Sequence, residues 1–294
     1  MNIHDIITQL CVIFSLHPWQ WYAVVAYFFL CWASFSGVMA DRLPAQVGLK
    51  MDGPHPVSVE PDLSVNLFSL SRCDSCGHRI SALALIPVFG WLIHRGRCGH
   101  CHARVPVVYP VVEAVSAIAA VLIAAHLGPT WNGLMTLVLL ALCIPISWID
   151  VRFHWIPDRL GLGMLYAGLL FSPFASLHDR VVGSAVMAGF LATFFWLQKL
   201  RRGLDTMAMG DVILFGAAGA WLGISEAPVI MLLTSLVYGA YALPMYLLGR
   251  RTGGVDVQDE EEDAPAWFAV GPAIVFGTLI ASLLPFPFTA MLGS

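Results

Sequence analysis

Two aspartates stand where long apolar stretches meet polar sequence. Asp150 closes 146-ISWIDVRFHWIPDRL-160, and Asp211 opens an apolar run in 205-DTMAMGDVILFG-216. Four cysteines form two hooks, Cys73-x2-Cys76 and Cys98-x2-Cys101, separated by 21 residues. Each group suggests a chemistry. Two carboxylates held close cannot both ionise easily, so they share a proton. One can then take a proton from water while the other donates to a scissile carbonyl, which is aspartic-protease chemistry. Two Cys-x2-Cys hooks can converge four thiolates on one tetrahedral zinc.

Simpler roles exist for each. Asp211 could cap a helix N-terminus. Asp150 could pair with Arg152 or Arg201, and Asp158, after Pro157, reads as a helix cap. Gly210, beside Asp211, would let a substrate backbone approach the carboxylate. A redox pair or disulfides are the other readings of the hooks, and His100 or His102 could replace a cysteine. Gly77, Gly96 and Gly99 suit the tight knuckle turns of a metal site. A zinc held by four cysteines has no open position, so its role would be structural, and it could supply much of the folding energy of a small loop. Cys11, Cys31 and Cys143 lie in or beside apolar segments and read as small buried hydrophobes.

The elements that position these groups must lie in a membrane. The 294 residues are 58% hydrophobic and only 12% charged, more apolar than a soluble core requires, and runs of 18 or more uncharged residues read as spans. Lipid leaves backbone polar groups no outside partner, so the spans are helical. The expected fold is all-α and polytopic, with about eight spans near 19–40, 107–126, 131–149, 160–177, 181–198, 211–224, 227–248 and 267–288. Residues 4–16 could add an interfacial helix. The run over 211–224 is short and glycine-rich and could be buried in the bundle. The expected domains are 1–40, with the first span; 41–106, a small zinc-binding loop domain; and 107–294, the membrane domain carrying both aspartates.

Charge sets the orientation. The first basic residue is Arg42, so a cleavable signal peptide is not expected. With eight spans, fourteen of the fifteen Lys and Arg residues fall on the side of the 41–106 loop; Arg180 alone falls opposite. The positive-inside rule puts that loop in the cytoplasm, with both termini outside. The same topology brings Asp150 and Asp211 to one face. A reducing cytoplasm favours metal over disulfides. The acidic run 256-DVQDEEED-263 reads as a solvated loop. Nothing suggests nucleic-acid binding or fixes an oligomeric state.

The ordered set of features resembles the type IV prepilin peptidases, bacterial members of the GxGD intramembrane aspartic proteases. The likeness runs from about residue 33 to 280. It rests on 33-ASFSGVMADRLP-44, the two hooks, 94-HRGRCGHCHARVPVVYPVVEA-114, Asp150 with Pro157-Asp158, 207-MAMGDVILFGAAGAWLG-223 and 268-FAVGPAIVFG-277. The resemblance implies an inner-membrane peptidase that cuts the leader from type IV prepilins or type II secretion pseudopilins after a glycine, at the cytoplasmic membrane face. Asp150 and Asp211 would be its catalytic pair. Many such enzymes also methylate the new N-terminus with S-adenosylmethionine, a step associated with the cysteine loop. Glu113 is a candidate for binding or for that second activity, with a pairing role inside the bundle as the alternative. The sequence departs from the family pattern at Ala208, the first glycine of GxGD; at Ile213, where a Lys is usual; at His154, shifted from the usual place; and at Gly37 and Val108, which stand for an Asn and an Arg in the region tied to methylation. Two other classes are open: a proton- or cation-coupled transporter with a zinc domain, and an inactive assembly scaffold descended from the peptidase.

Overall fold

The computed structural model describes residues 18–52, 55–62, 64–202, 208–247 and 269–284. The segments 4–16 and 256–263 singled out above lie outside them. The chain forms two compact units. The first holds residues 1–47 and 61–137, the second 48–60 and 138–294.

In the first unit, helix α1 (Pro18–Gln46) packs along α3 (Val108–Leu127). The buried stripe of α1 runs Val25, Phe29, Ala33, Ser36, Gly37, Ala40 and Leu43. That of α3 runs Glu113, Ser116, Ala117, Ala120, Ile123 and Ala124. Both follow the three-to-four residue period of one helical face. Small residues recur in both stripes, and in lipid close backbone approach replaces the hydrophobic effect as the force between helices. Gly128 ends α3 with a positive φ (65°) that suits glycine, its N–H donating to the Ala124 carbonyl. Between the two helices lie a 3-10 turn (Ala82–Leu85) and a short helix α2 (Phe89–Ile93). Arg42 holds the start of this connection by donating from one guanidinium nitrogen to the carbonyls of Asn66, Leu67 and Ser69, at 2.8–2.9 Å.

Helix α4 (Trp131–Phe153) begins in the first unit and continues into the second from Val138. The second unit also contains an antiparallel hairpin, β1 (Leu49–Asp52) with β2 (His55–Ser58), in register Leu49↔Ser58 to Asp52↔His55. The all-helical expectation missed this hairpin. It then contains α5 (Asp158–Phe171), α6 (Leu177–Arg202), α7 (Met209–Leu222), α8 (Ala227–Leu247) and α9 (Gly271–Leu283).

The centre of this unit is α7, which packs against α5, α6 and α9. Every residue of α7 from Val212 to Leu222 except Ile213 is buried. The α6–α7 crossing is close to backbone contact: a Cβ on Gly219 would lie 2.3 Å from the Gly183 carbonyl oxygen. Trp221 ties α7 to α5, its indole N–H donating to the Met164 carbonyl (2.9 Å) while the Ser172 hydroxyl donates to its own carbonyl.

The expectation of about eight spans is corrected. Among the described residues five helices are long and apolar enough to cross a membrane: α1, α3, α4, α6 and α8. At ~1.5 Å rise per residue, the 14 residues of α5 or α7 reach only ~21 Å, and a bilayer core is ~30 Å thick. The apolar runs that sequence counted as full spans are therefore partly helices of the bundle interior. The burial of α7 agrees with the expectation that the 211–224 run sits within the bundle.

Candidate active site

Asp150 lies in the last turn of α4 and is 4% exposed. His154 takes the left-handed conformation (φ 49°) and ends the helix, its N–H donating to the Asp150 carbonyl at 2.9 Å. The chain then turns through Trp155, Ile156 and Pro157 into α5. The backbone N–H of Gly271, the first residue of α9, donates to Asp150 Oδ2 at 2.9 Å. A Cβ on Gly271 would lie 2.6 Å from that oxygen, so only glycine allows this approach.

Asp211 is the third residue of α7, half-buried, and Ala208 is the residue before the helix. Asp211 is thus not the N-cap that the simpler reading offered. Ala208 has φ −79° and ψ 89°, a conformation open to any residue, so alanine fits where the GxGD pattern has its first glycine. Gly210 faces the protein: a Cβ there would meet Ile156 Cβ at 2.9 Å. The same Ile156 side chain lies 3.2 Å from where a Cβ on Gly271 would be. Ile156 therefore wedges between the glycine beside Asp211 and the glycine that binds Asp150. Ile213 packs 3.1 Å from the Cβ position of Gly161, on the α5–α7 contact.

Within this unit the two carboxylates are close enough to interact electrostatically. Two tyrosines of α8 join them. Tyr238 is within electrostatic reach of Asp211, and Tyr241 of both aspartates. Their rings meet edge to face at 5.5 Å. The Tyr241 hydroxyl is buried with no hydrogen-bond partner among the described residues. Sequence reading had singled out neither tyrosine; no spacing ties α8 to the aspartates, and only the packing does so. Gly271 did lie in a quoted motif, but nothing in the sequence gives its N–H a role. Asp158, the other acid of that region, is exposed in the first turn of α5, where a negative charge suits the helix dipole.

The four cysteines form a second cluster, in the first unit. One sulfur from each of Cys73, Cys76, Cys98 and Cys101 lies within 4.8 Å of all the others. Cys73 and Cys101 are 3.8 Å apart. A tetrahedral zinc with bonds of ~2.3 Å separates its sulfurs by about 3.8 Å, so the donor set fits that ion. The hooks are built alike. Arg72 bridges to Arg79 across the first and Arg97 to Arg104 across the second. Gly77 (φ 66°) and His102 (φ 58°) occupy the equivalent left-handed turn positions. Hydrogen bonds from the backbone N–H groups of Cys101 and His100 hold the Cys98 thiol down to about 6. His78 and His100 stack at 4.3 Å.

Glu113, the sixth residue of α3, is 6% exposed and accepts a 2.6 Å hydrogen bond from the Val88 N–H. It ties the connection between the hooks to the helix.

Comparison with known proteins agrees with this division. Residues 27–127 match the bacterial peptidase A24 N-terminal domain, and residues 137–243 match the type IV leader peptidase family. A protein of Aeromonas hydrophila is 36% identical over 243 residues, covering 79% of this chain and 83% of the relative. One from Burkholderia pseudomallei is 34% identical over 226 residues (76% and 70%), and one from Pectobacterium carotovorum 32% over 277 (90% and 95%). All three are named prepilin leader peptidase/N-methyltransferase. No solved structure matches the chain. Several long apolar helices together with these bacterial relatives make it a multi-pass protein of the inner membrane. With the segment that carries both aspartates matched from end to end, the chain belongs to the type IV leader peptidase family.

Proposed function

We propose that this protein is a membrane aspartic endopeptidase that removes the leader from type IV prepilins or type II secretion pseudopilins, cutting after a glycine at the cytoplasmic face. One observation carries the proposal: Asp150 and Asp211, on separate helices, converge within electrostatic range, and Asp150 is held by the Gly271 N–H. In this reading the pair shares one proton. The ionised carboxylate removes a proton from a water as its oxygen attacks the scissile carbonyl carbon. The protonated one donates to the carbonyl oxygen. As the tetrahedral intermediate collapses, the departing amine takes the proton that the first carboxyl had removed from water, and a hydroxyl of the intermediate returns a proton to the second carboxylate, restoring the shared proton. The Gly271 N–H orients Asp150 before substrate arrives, so ordering that carboxylate adds no cost at the moment of reaction.

The excess of basic residues on the 41–106 loop supports a cytoplasmic site. In the same reading Cys73, Cys76, Cys98 and Cys101 hold a structural zinc, which when bound cross-links the two hooks. The names of the relatives also support N-methylation of the new terminus by S-adenosylmethionine. A cleft of about 330 Å³ beside the first hook, lined by residues between Leu70 and Leu85, offers no carboxylate for a ribose or an ammonium group. That cleft does not suit the donor.

The test is cleavage in detergent of a prepilin carrying its leader, with S-adenosylmethionine present, followed by intact-mass spectrometry. Loss of the leader mass, abolished in both Asp150→Ala and Asp211→Ala, is the expected result. An additional methyl on the product would extend the activity to methylation. A folded protein that cleaves none of several prepilins would overturn the proposal in favour of an assembly scaffold. Proton-coupled flux in vesicles without cleavage would favour a transporter.

A further inference from the structure

The segment between the two cysteine hooks is unusually apolar for a loop. In the 3-10 turn and α2, Leu83 (64% exposed), Leu85, Ile86, Phe89 (59%), Leu92 and Ile93 all face outward. The backbone beneath them is compact. A Cβ on Gly90 would lie 2.3 Å from the Ala84 carbonyl oxygen, so turn and helix are pressed together with their large side chains outside. A metal loop in water would not be expected to expose six large apolar side chains on a span of eleven residues.

The height of this segment is fixed. Val88 lies between the 3-10 turn and α2 in a left-handed conformation (φ 61°), and its N–H donates to Glu113. Glu113 is the sixth residue of α3, a helix long and apolar enough to span the membrane. Five residues of rise put that carboxylate ~7.5 Å along the helix from its first residue. The apolar faces of interfacial segments sit ~5–10 Å into the boundary between headgroups and acyl chains, so the depth matches. Trp91 adds a second tie, its indole N–H donating to the Val105 carbonyl (3.1 Å), three residues before α3. Along α3 itself, Val108, Val111, Val115, Ile118 and Leu122 form an exposed apolar stripe on a helix long enough to span a bilayer. The loop segment continues that apolar surface at its polar end. Around it stand the exposed Arg72, Arg79, Arg95, Arg97 and Arg104, suited to phosphate headgroups.

We propose that Leu83–Ile93 is a monotopic anchor, inserted in the lipid interface of the same bilayer, and that Glu113 sets its depth. The metal hooks on either side of it are thereby held against the membrane face. This inference rests on the membrane spans and not on the peptidase reading.

The test uses the full chain in nanodiscs of phosphatidylethanolamine and phosphatidylglycerol. The photo-crosslinker p-benzoylphenylalanine replaces Phe89 and, in a separate variant, Leu92, so that one misfolded variant does not decide the outcome. Ile118, in the exposed apolar stripe of α3, is the positive control. Asp74, exposed in the first hook, is the negative control. After irradiation, mass spectrometry is expected to find lipid adducts at position 89 or 92 at a level within about threefold of those at 118 and at least tenfold above those at 74. Adducts at 118 with positions 89 and 92 no higher than 74, or crosslinks from 89 and 92 only to protein, would overturn the proposal.

Discussion

Replacing Gly271 with alanine isolates the contact that holds Asp150. The new Cβ would lie 2.6 Å from Oδ2, against the 3.4 Å at which ordinary contact begins, a shortfall of about 0.8 Å. Either the carboxylate retreats or the start of α9 moves, and both break the 2.9 Å hydrogen bond from the Gly271 N–H. A hydrogen bond to a charged group is worth about 1.5–3 kcal/mol. A displacement of about 1 Å at a reacting group costs ~10²-fold in rate. The expectation is therefore a ~10- to ~100-fold loss of kcat for leader cleavage. KM should change little, because no large substrate-binding surface is removed. The assay is the time course of leader loss by intact mass in detergent, with thermal melting and metal content compared with the parent. Gly189→Ala is the control, since a Cβ there meets nothing within 4 Å; its activity should stay within twofold. If Gly271→Ala folds normally and keeps its kcat within threefold of the parent, Asp150 does not depend on this amide, and the reasoning fails.

Three further outcomes are expected. Cys73→Ser or Cys98→Ser should lower the metal content measured by atomic spectroscopy from one ion per chain to well below half, and chelation of the parent should lower its melting temperature, because metal binding is coupled to loop folding. Glu113→Ala leaves the part-buried Val88 N–H without its acceptor and should destabilise the protein by about 1–2 kcal/mol, read as a lower melting temperature, while Glu113→Gln keeps an acceptor oxygen and should lie close to the parent. Gly219→Val forces side-chain atoms into the Gly183 backbone and should destabilise by more than about 4 kcal/mol, seen as loss of monodisperse protein in gel filtration.

Much of the candidate site was legible in the sequence. Asp150 and Asp211 stand out because acids bordering apolar runs are costly and need a reason. The cysteine hooks stand out because their spacing is that of metal knuckles. What escaped was whatever depends on contacts between distant segments. The tyrosines of α8 look like ordinary aromatic residues of an apolar helix until packing brings them near the aspartates. Gly271 looks like a helix-start glycine beside Pro272. The count of spans failed because hydropathy reports how apolar a run is, while a short buried helix such as α7 is as apolar as a lipid-facing one. The hairpin over residues 49–58 escaped because four-residue strands leave almost no periodic signal. The role of Gly210 also changed: its missing side chain accommodates Ile156, where sequence had suggested room for a substrate.

Ile156 has a consequence for how this sequence can vary. One side chain fills the space left by two glycines that lie 61 positions apart and border different aspartates. A larger residue at Gly210 first meets Ile156, which cannot yield toward Gly271 without pressing on it. Gly210 and Ile156 therefore vary together. A smaller residue in place of Ile156 would relax the constraint on Gly210, whose nearest neighbour it is. Gly271 would stay constrained, because its nearest neighbour is the Asp150 carboxylate itself. The tolerance of the two glycines to change is thus unequal: an isoleucine in a four-residue turn limits one, and a carboxylate limits the other.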